Sequence, residues 1–399
     1  MKKIIIAILA IAAIGSLGSV GFLFYQQQRT VVGEENPDQL GDLFPVAQKT
    51  PTDNLDQPDF NQTEITANQS LENLNAKQLE IGGLATLPLA GKLETVLVEK
   101  KTGHLHTLGN QNNPVRVTNF TLPATTDIIW GYGPNTWYVL FQQPDNNEIK
   151  RTLGKITTTA PDDGLFAIKT TPWFLDHSDL AVSPQGDKFI YLNRNAAGAG
   201  TLYLNDWSLV KPVKLWSSFL ADWRIDWPHD KTATIVSRPA YDYPGSAYLI
   251  NPQTKKVEKI LNQINGLTVK LSPDGRQLIY AKSALNGFAL YQYEVASRAS
   301  RLLDLKTLPE KCVWGKADVL YCAVPRTVPT GHYPDEWYQG KIAFSDDLWV
   351  IDLKQKTTHR LHQPNGQYDL VNLTVNQETG WLYAKNKNDD TLQAFGLNP

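Results

Sequence analysis

The stretch LSPDGRQLIY, Leu271–Tyr280, decides the reading of this chain. Its first half is turn chemistry: in Ser-Pro-Asp-Gly the proline presets φ and the glycine stands where a positive φ is needed. Its second half is short, apolar and β-prone. Eighty-nine residues earlier, VSPQGDKFIY (Val182–Tyr191) repeats Ser, Pro, Gly, Ile and Tyr in the same places. Between them lies DWPHDKTATI (Asp226–Ile235), 44 residues after the first copy and 45 before the second, with its proline in register and Asp230 at the glycine position. The spacing of 89 is therefore two periods. Internal repeats of about 40–50 residues, each holding four short strands, are the signature of a β-propeller.

With that period the remaining copies come into view. CVWGKADVLYCAV (Cys312–Val324), LTVNQETGWLYAK (Leu373–Lys385) and IIWGYGPNTWYVLF (Ile128–Phe141) read as the same hairpin, and strands such as TLYLNDW and DLWVIDLKQKT end in polar turns after it. Blade starts fall near residues 82, 127, 178, 222, 265, 311 and 368, which makes seven blades. Six remains open, because the last blade lacks an obvious fourth strand and its half-blade would then merge with the first. A blade cannot bury both faces of its sheet alone, so radial stacking supplies the cover. Strands covered on both faces read as continuous apolar runs, as FIYL, LIYA and WYVLF do.

The segments SPDGRQLIYAKS and SPQGDKFIYLNR resemble the repeat of the TolB-type, WD-like propellers. The likeness is strong at Ser272–Tyr280 and Ser183–Tyr191, partial at Trp227–Ile235, and degenerate elsewhere. It implies an all-β propeller over residues 82–399 and a role as an interaction platform, and leaves activity undetermined, since one fold hosts many functions. No separate N-terminal α/β domain, as TolB-type proteins have, is visible in the sequence.

The N-terminal part is of another kind. After Lys2 and Lys3, the run Ile4–Tyr25 carries no charge. As a helix it spans about 33 Å, enough for a bilayer core. A cleaved signal peptide is the competing reading, but the apolar run continues well past the small residues Ala10–Ala12. Residues 1–32 are thus expected to be a signal anchor, with the C-terminal part outside the cytoplasm by the positive-inside rule. Residues 33–81 follow as a linker. Gly33–Glu80 holds ten Asp/Glu and two Lys, without Trp or Tyr, and is expected to be disordered. A short capped helix over Ser70–Glu80 is a weaker expectation. A net charge of −2 gives no basis for nucleic-acid binding.

Chemistry-bearing motifs are scarce. There is no Gly-x-Ser-x-Gly elbow, phosphate loop, His-Glu-x-x-His pair or sialidase-type turn. His104 and His106 alternate and would share a strand face, but no third ligand with zinc spacing accompanies them. No metal or cofactor is expected, although a pore-lining carboxylate site stays open. Cys312 and Cys322 flank one hairpin and would face each other as a disulfide, or else remain two buried thiols.

The expected site is a loop face. In a propeller the loops from second to third strand and from blade to blade emerge together. The longest is Pro325–Asp346, with His332, Tyr333, Asp335, Glu336, Trp337 and Tyr338. Tyr241 and Tyr243 lie on the equivalent loop two blades earlier, and Trp173 and Phe174 on a blade-to-blade loop. These aromatics either form a recognition surface for protein or glycan, or fold back to fill their own loops. The expectation is a monomeric, envelope-anchored, non-enzymatic scaffold for a protein partner. The alternatives are a glycan-binding or glycan-active surface protein, and a structural spacer.

Overall fold

Two hairpins written alike in the sequence are built alike in space. In the computed structural model, Ser272 N donates to Gln277 O at 2.8 Å and Gln277 N to the Ser272 hydroxyl at 3.2 Å. The Ser183 turn repeats this with Lys188, at 2.8 and 3.1 Å. Gly275 and Gly186 take φ of 69° and 73°, the region that glycine enters without steric cost. A β-carbon on Gly186 would also strike the Tyr132 ring, because the neighbouring blade packs directly onto this turn.

The structure describes residues 79–397, apart from 90–91, 109–111, 134–135, 147, 158–164, 176, 286 and 317. They fall within Phe60–Pro399, which forms one compact unit. The expected anchor over 1–32 and nearly all of the linker over 33–81 lie outside the described residues. Residues 79 and 80, placed in the linker by the sequence, already join the propeller: Leu79 packs against the seam's apolar cluster and Glu80 bridges Thr391. Among the described residues no helix is long and apolar enough to cross a membrane.

Seven antiparallel sheets follow one another along the chain, six of four strands and one of three. Their first strands are Ile81–Leu89, Asp127–Gly133, Asp179–Val182, Trp223–His229, Thr268–Leu271, Cys312–Trp314 and Leu370–Asn376. These starts match the period read from the sequence to within three residues. The first strands touch from blade to blade, the sixth being reached through the Pro309–Lys311 turn, and the last touches the first. They therefore line the axis of a seven-bladed β-propeller. The core consists of apolar layers between blades: Trp223, Trp227 and Ile235 pack with Ala181 and Ile190 of the blade before. Leu271, Leu278 and Tyr280 pack with Val236 and Ala247 in the same way. No blade supplies both sides of its own cover.

The seventh blade has three strands among the described residues, Leu370–Asn376, Trp381–Asn386 and Leu392–Gly396. Its seam with the first blade is closed chiefly by side chains. Thr374 bonds Thr86 at 3.0 Å, Asn376 donates to Leu93 O at 2.8 Å, and Lys100 pairs with Asp390 at 2.5 Å. Cys312 and Cys322 stand opposite each other in the sixth blade and form a disulfide, with a Cα–Cα separation of 4.0 Å.

Candidate functional site

The upper face, defined as the end where second-to-third and blade-to-blade loops emerge, is dominated by the long loop of blade 6. It folds around a charge. Lys311 is fully buried, and its ammonium lies 2.8 Å from Asp346, 2.5 Å from Asp369 and 3.1 Å from Leu370 O. Asp369 also accepts from Trp337 Nε1 at 2.8 Å and Phe344 N at 3.2 Å. The Trp337 and Phe344 rings each stand 5.3 Å from the ammonium, within cation–π range. One lysine serves two buried carboxylates, and burial pushes the Asp346 carboxyl up to about 6 against the pull of Lys311.

This cluster fixes a one-turn helix, Asp335–Tyr338, over the axis. Trp337 and Tyr333 are 3% and 0% exposed, and Tyr333 stacks on Phe344 and meets Phe288 edge to face. Trp173 is likewise buried, against Phe189, Trp207 and His177. For these three, the fold-back alternative is what the structure contains, and they present no binding surface. The physical reason is local: each has neighbouring apolar or charged partners that give a ring more than solvent does.

Others of the expected set do come together. Tyr241 of blade 4 stacks on His332 of blade 6 at 4.4 Å, and its amide donates to Asp335 at 2.7 Å. Glu336 approaches the His332 ring at 3.6 Å. The blade-6 loop thus reaches past blade 5, where Ser283 donates to Tyr333 O at 2.6 Å. Phe174 stands apart at 87% exposure, and Tyr243 also faces solvent.

Exposed apolar groups concentrate on this face. Among the described residues twelve large apolar side chains are exposed, and seven lie on or beside upper loops: Ile149, Phe174, Phe219, Leu220, Tyr243, Leu285 and Tyr338. Phe219 is 97% exposed. They are spread over blades 2 to 5 and the blade-6 helix, with the second-to-third loop of blade 3 and the loops leading into blades 5 and 6 contributing none.

Beside the helix lies a pocket of ≈ 400 Å³, walled by the first strands of blades 4 and 5 and by the turn before the first strand of blade 6. Arg224, Asp226, Lys270, Glu310 and Tyr338 line it. The Tyr338 hydroxyl donates to Glu310. Consecutive residues thus serve two purposes: Glu310 and Tyr338 face the pocket, while Lys311 and Trp337 build the core beneath. Burial raises the Asp226 and Glu310 carboxyls and lowers the Lys270 ammonium. Enclosure, then the Glu310 carboxylate, holds the Tyr338 phenol well above its ordinary range.

Of the pocket's lining the sequence expectations named only Tyr338, beside the open possibility of a pore-lining carboxylate site. A signal existed in Trp-Arg-Ile-Asp-Trp, Trp223–Trp227, whose alternation puts Arg224 and Asp226 on the face opposite three apolar residues. That Lys270 and Glu310 join them is set by the ring. His104, by contrast, bonds Thr121 at 3.2 Å, and no metal-holding group of three ligands occurs among the described residues.

No family model matches the chain, and no curated protein sequence does. Among solved structures it is similar to oligogalacturonate lyase from Vibrio parahaemolyticus, at a TM-score of 0.53 and 10% identity, over 80% of this chain and 90% of that one. It is also similar to an acylaminoacyl peptidase in complex with Z-Gly-Gly-Phe-chloromethyl ketone (0.43, 11% identity, 64% of this chain), of whose length it spans 42%. A chain assigned as TolB from Agrobacterium tumefaciens aligns at 0.38 and 15% identity, over 56% of this chain and 80% of that one. At such identities the likeness to the lyase speaks to fold alone. The class is that of the seven-bladed β-propellers.

Proposed function

We propose that this chain is a non-enzymatic protein-binding platform whose partner docks on the upper face across blades 2 to 5. The observation that carries this reading is the gathering of exposed apolar side chains on those loops, with Phe174 and Phe219 almost wholly in solvent. Burying one large aromatic side chain is worth about 2 kcal/mol, so a few suffice for a specific interface.

The same proposal places the propeller as a monomer at the cell envelope, held by a membrane-spanning helix within residues 1–32 and a linker over 33–81, with the propeller outside the cytoplasm. The uncharged run Ile4–Tyr25 behind Lys2 and Lys3 supports it. The test is in-cell crosslinking of the full-length chain, comparing wild type with Phe174→Ser plus Phe219→Ser and with the lower-rim control Val210→Ser. Loss of one crosslinked protein in the double variant alone is the expected result. An unchanged crosslinking pattern in the double variant would overturn the assignment of the face.

A further inference from the structure

The axial pocket holds charges that have no use in holding the fold together. Arg224 and Asp226 project from one first strand, Lys270 from the next, and Glu310 from the turn that follows. Among the described residues these four form no ion pair with one another, and Asp226, Lys270 and Glu310 act on each other only through space. This contrasts with Lys311 next door, whose ammonium is locked to two carboxylates at 2.5 and 2.8 Å. Arg224 is exposed at the pocket's rim and Asp226, Lys270 and Glu310 are half-buried; charges of both signs held apart with room between them suit a third body that satisfies both.

Glu310 bonds Tyr338 through one oxygen, while its second oxygen and the Thr268 hydroxyl lie unpartnered in the pocket wall, both closed off from solvent. The volume of ≈ 400 Å³ falls within the range of small-molecule sites. A purely anionic ligand would face Asp226 and Glu310, and a purely cationic one Arg224 and Lys270. Only a ligand carrying both charges gives each of the four an opposite partner.

We propose that this pocket binds a small zwitterion of the amino-acid or dipeptide class, its carboxylate toward Lys270 and Arg224 and its ammonium toward Asp226 and Glu310. Tyr338 closes the upper side. The pocket opens on the same face as the apolar loops, yet the inference is independent of protein docking there.

Calorimetric titration of the full-length chain with glycine, glycylglycine, L-lysine and L-glutamate tests it. N-acetylglycine and glycinamide, each lacking one charge, are the controls. At least one zwitterion is expected to bind, with both capped analogues weaker by about tenfold or more. Lys270→Met and Asp226→Asn should each weaken binding by about tenfold without lowering the melting temperature. The inference fails if no zwitterion binds, if the capped analogues bind equally well, or if both variants bind like wild type. Phe174→Ser plus Phe219→Ser should leave zwitterion affinity intact, which keeps this result separate from the docking test.

Discussion

The second-to-third loops of blades 4 and 6 carry similar aromatic-rich sequences and meet opposite fates. In blade 6, Tyr333 and Trp337 turn inward around a buried lysine. In blade 4, Tyr243 remains in solvent and Tyr241 is held only by contacts with the other loop. Composition does not separate the two. What separates them is a charged side chain below: Lys311 and Asp369 offer Trp337 a hydrogen bond and a cation–π contact together. Aromatic residues on a loop become core where the scaffold offers them a partner, and remain surface where it does not.

This difference can be broken by substitution, and the largest effect should come from its centre. Lys311→Met leaves Asp346 and Asp369 buried without a counter-ion and should cost about 3–5 kcal/mol in urea denaturation. Trp337→Ala should follow, at about 3 kcal/mol, through cavity formation and the lost bond to Asp369. Replacing Cys312 and Cys322 by serine removes a staple closing a short loop and should cost about 2–3 kcal/mol, measured against the oxidised wild type.

The charge cluster also predicts a pH signature. The Asp346 carboxyl stands at about 6 in the folded chain against 3.8 for an ordinary aspartate, so the native state holds more protons between these values. The stability from this group is present in full below the lower value and is lost as pH rises through the upper one, by about 1–3 kcal/mol. Asp346→Asn should flatten that slope when melting is followed from pH 4 to pH 7. At the other end of the scale, Tyr243→Ala should change stability by less than about 0.5 kcal/mol. A large loss there would mean that the two loops are built alike after all.

The architecture was legible because it is written repeatedly: the Ser183 and Ser272 turns fix the period, and the period finds the degenerate blades. The loops were legible only as material. Nothing local in Pro325–Asp346 tells that its tryptophan meets Asp369, a residue from the next blade. The pocket was further out of reach, because Asp226, Lys270 and Glu310 are separated by about one period each and become neighbours only when the ring closes. Sequence repetition reveals the frame, whereas sites arise from positions where the repeats differ.

The seam between the first and last blades has a mechanical consequence. The chain enters the ring there, at the Glu80–Thr391 bridge and beside the Lys100–Asp390 pair. Tension arriving through the preceding segment would load this joint before any other, where the side-chain bonds, the Ile81 N to Asp390 O hydrogen bond and an apolar cluster of Ile81, Leu97, Tyr383 and Leu392 hold the two blades. Under traction the ring should therefore unlatch at this clasp while the six complete sheets keep their shape. Single-molecule pulling from the N-terminus would register that release as an early, separate event of low force.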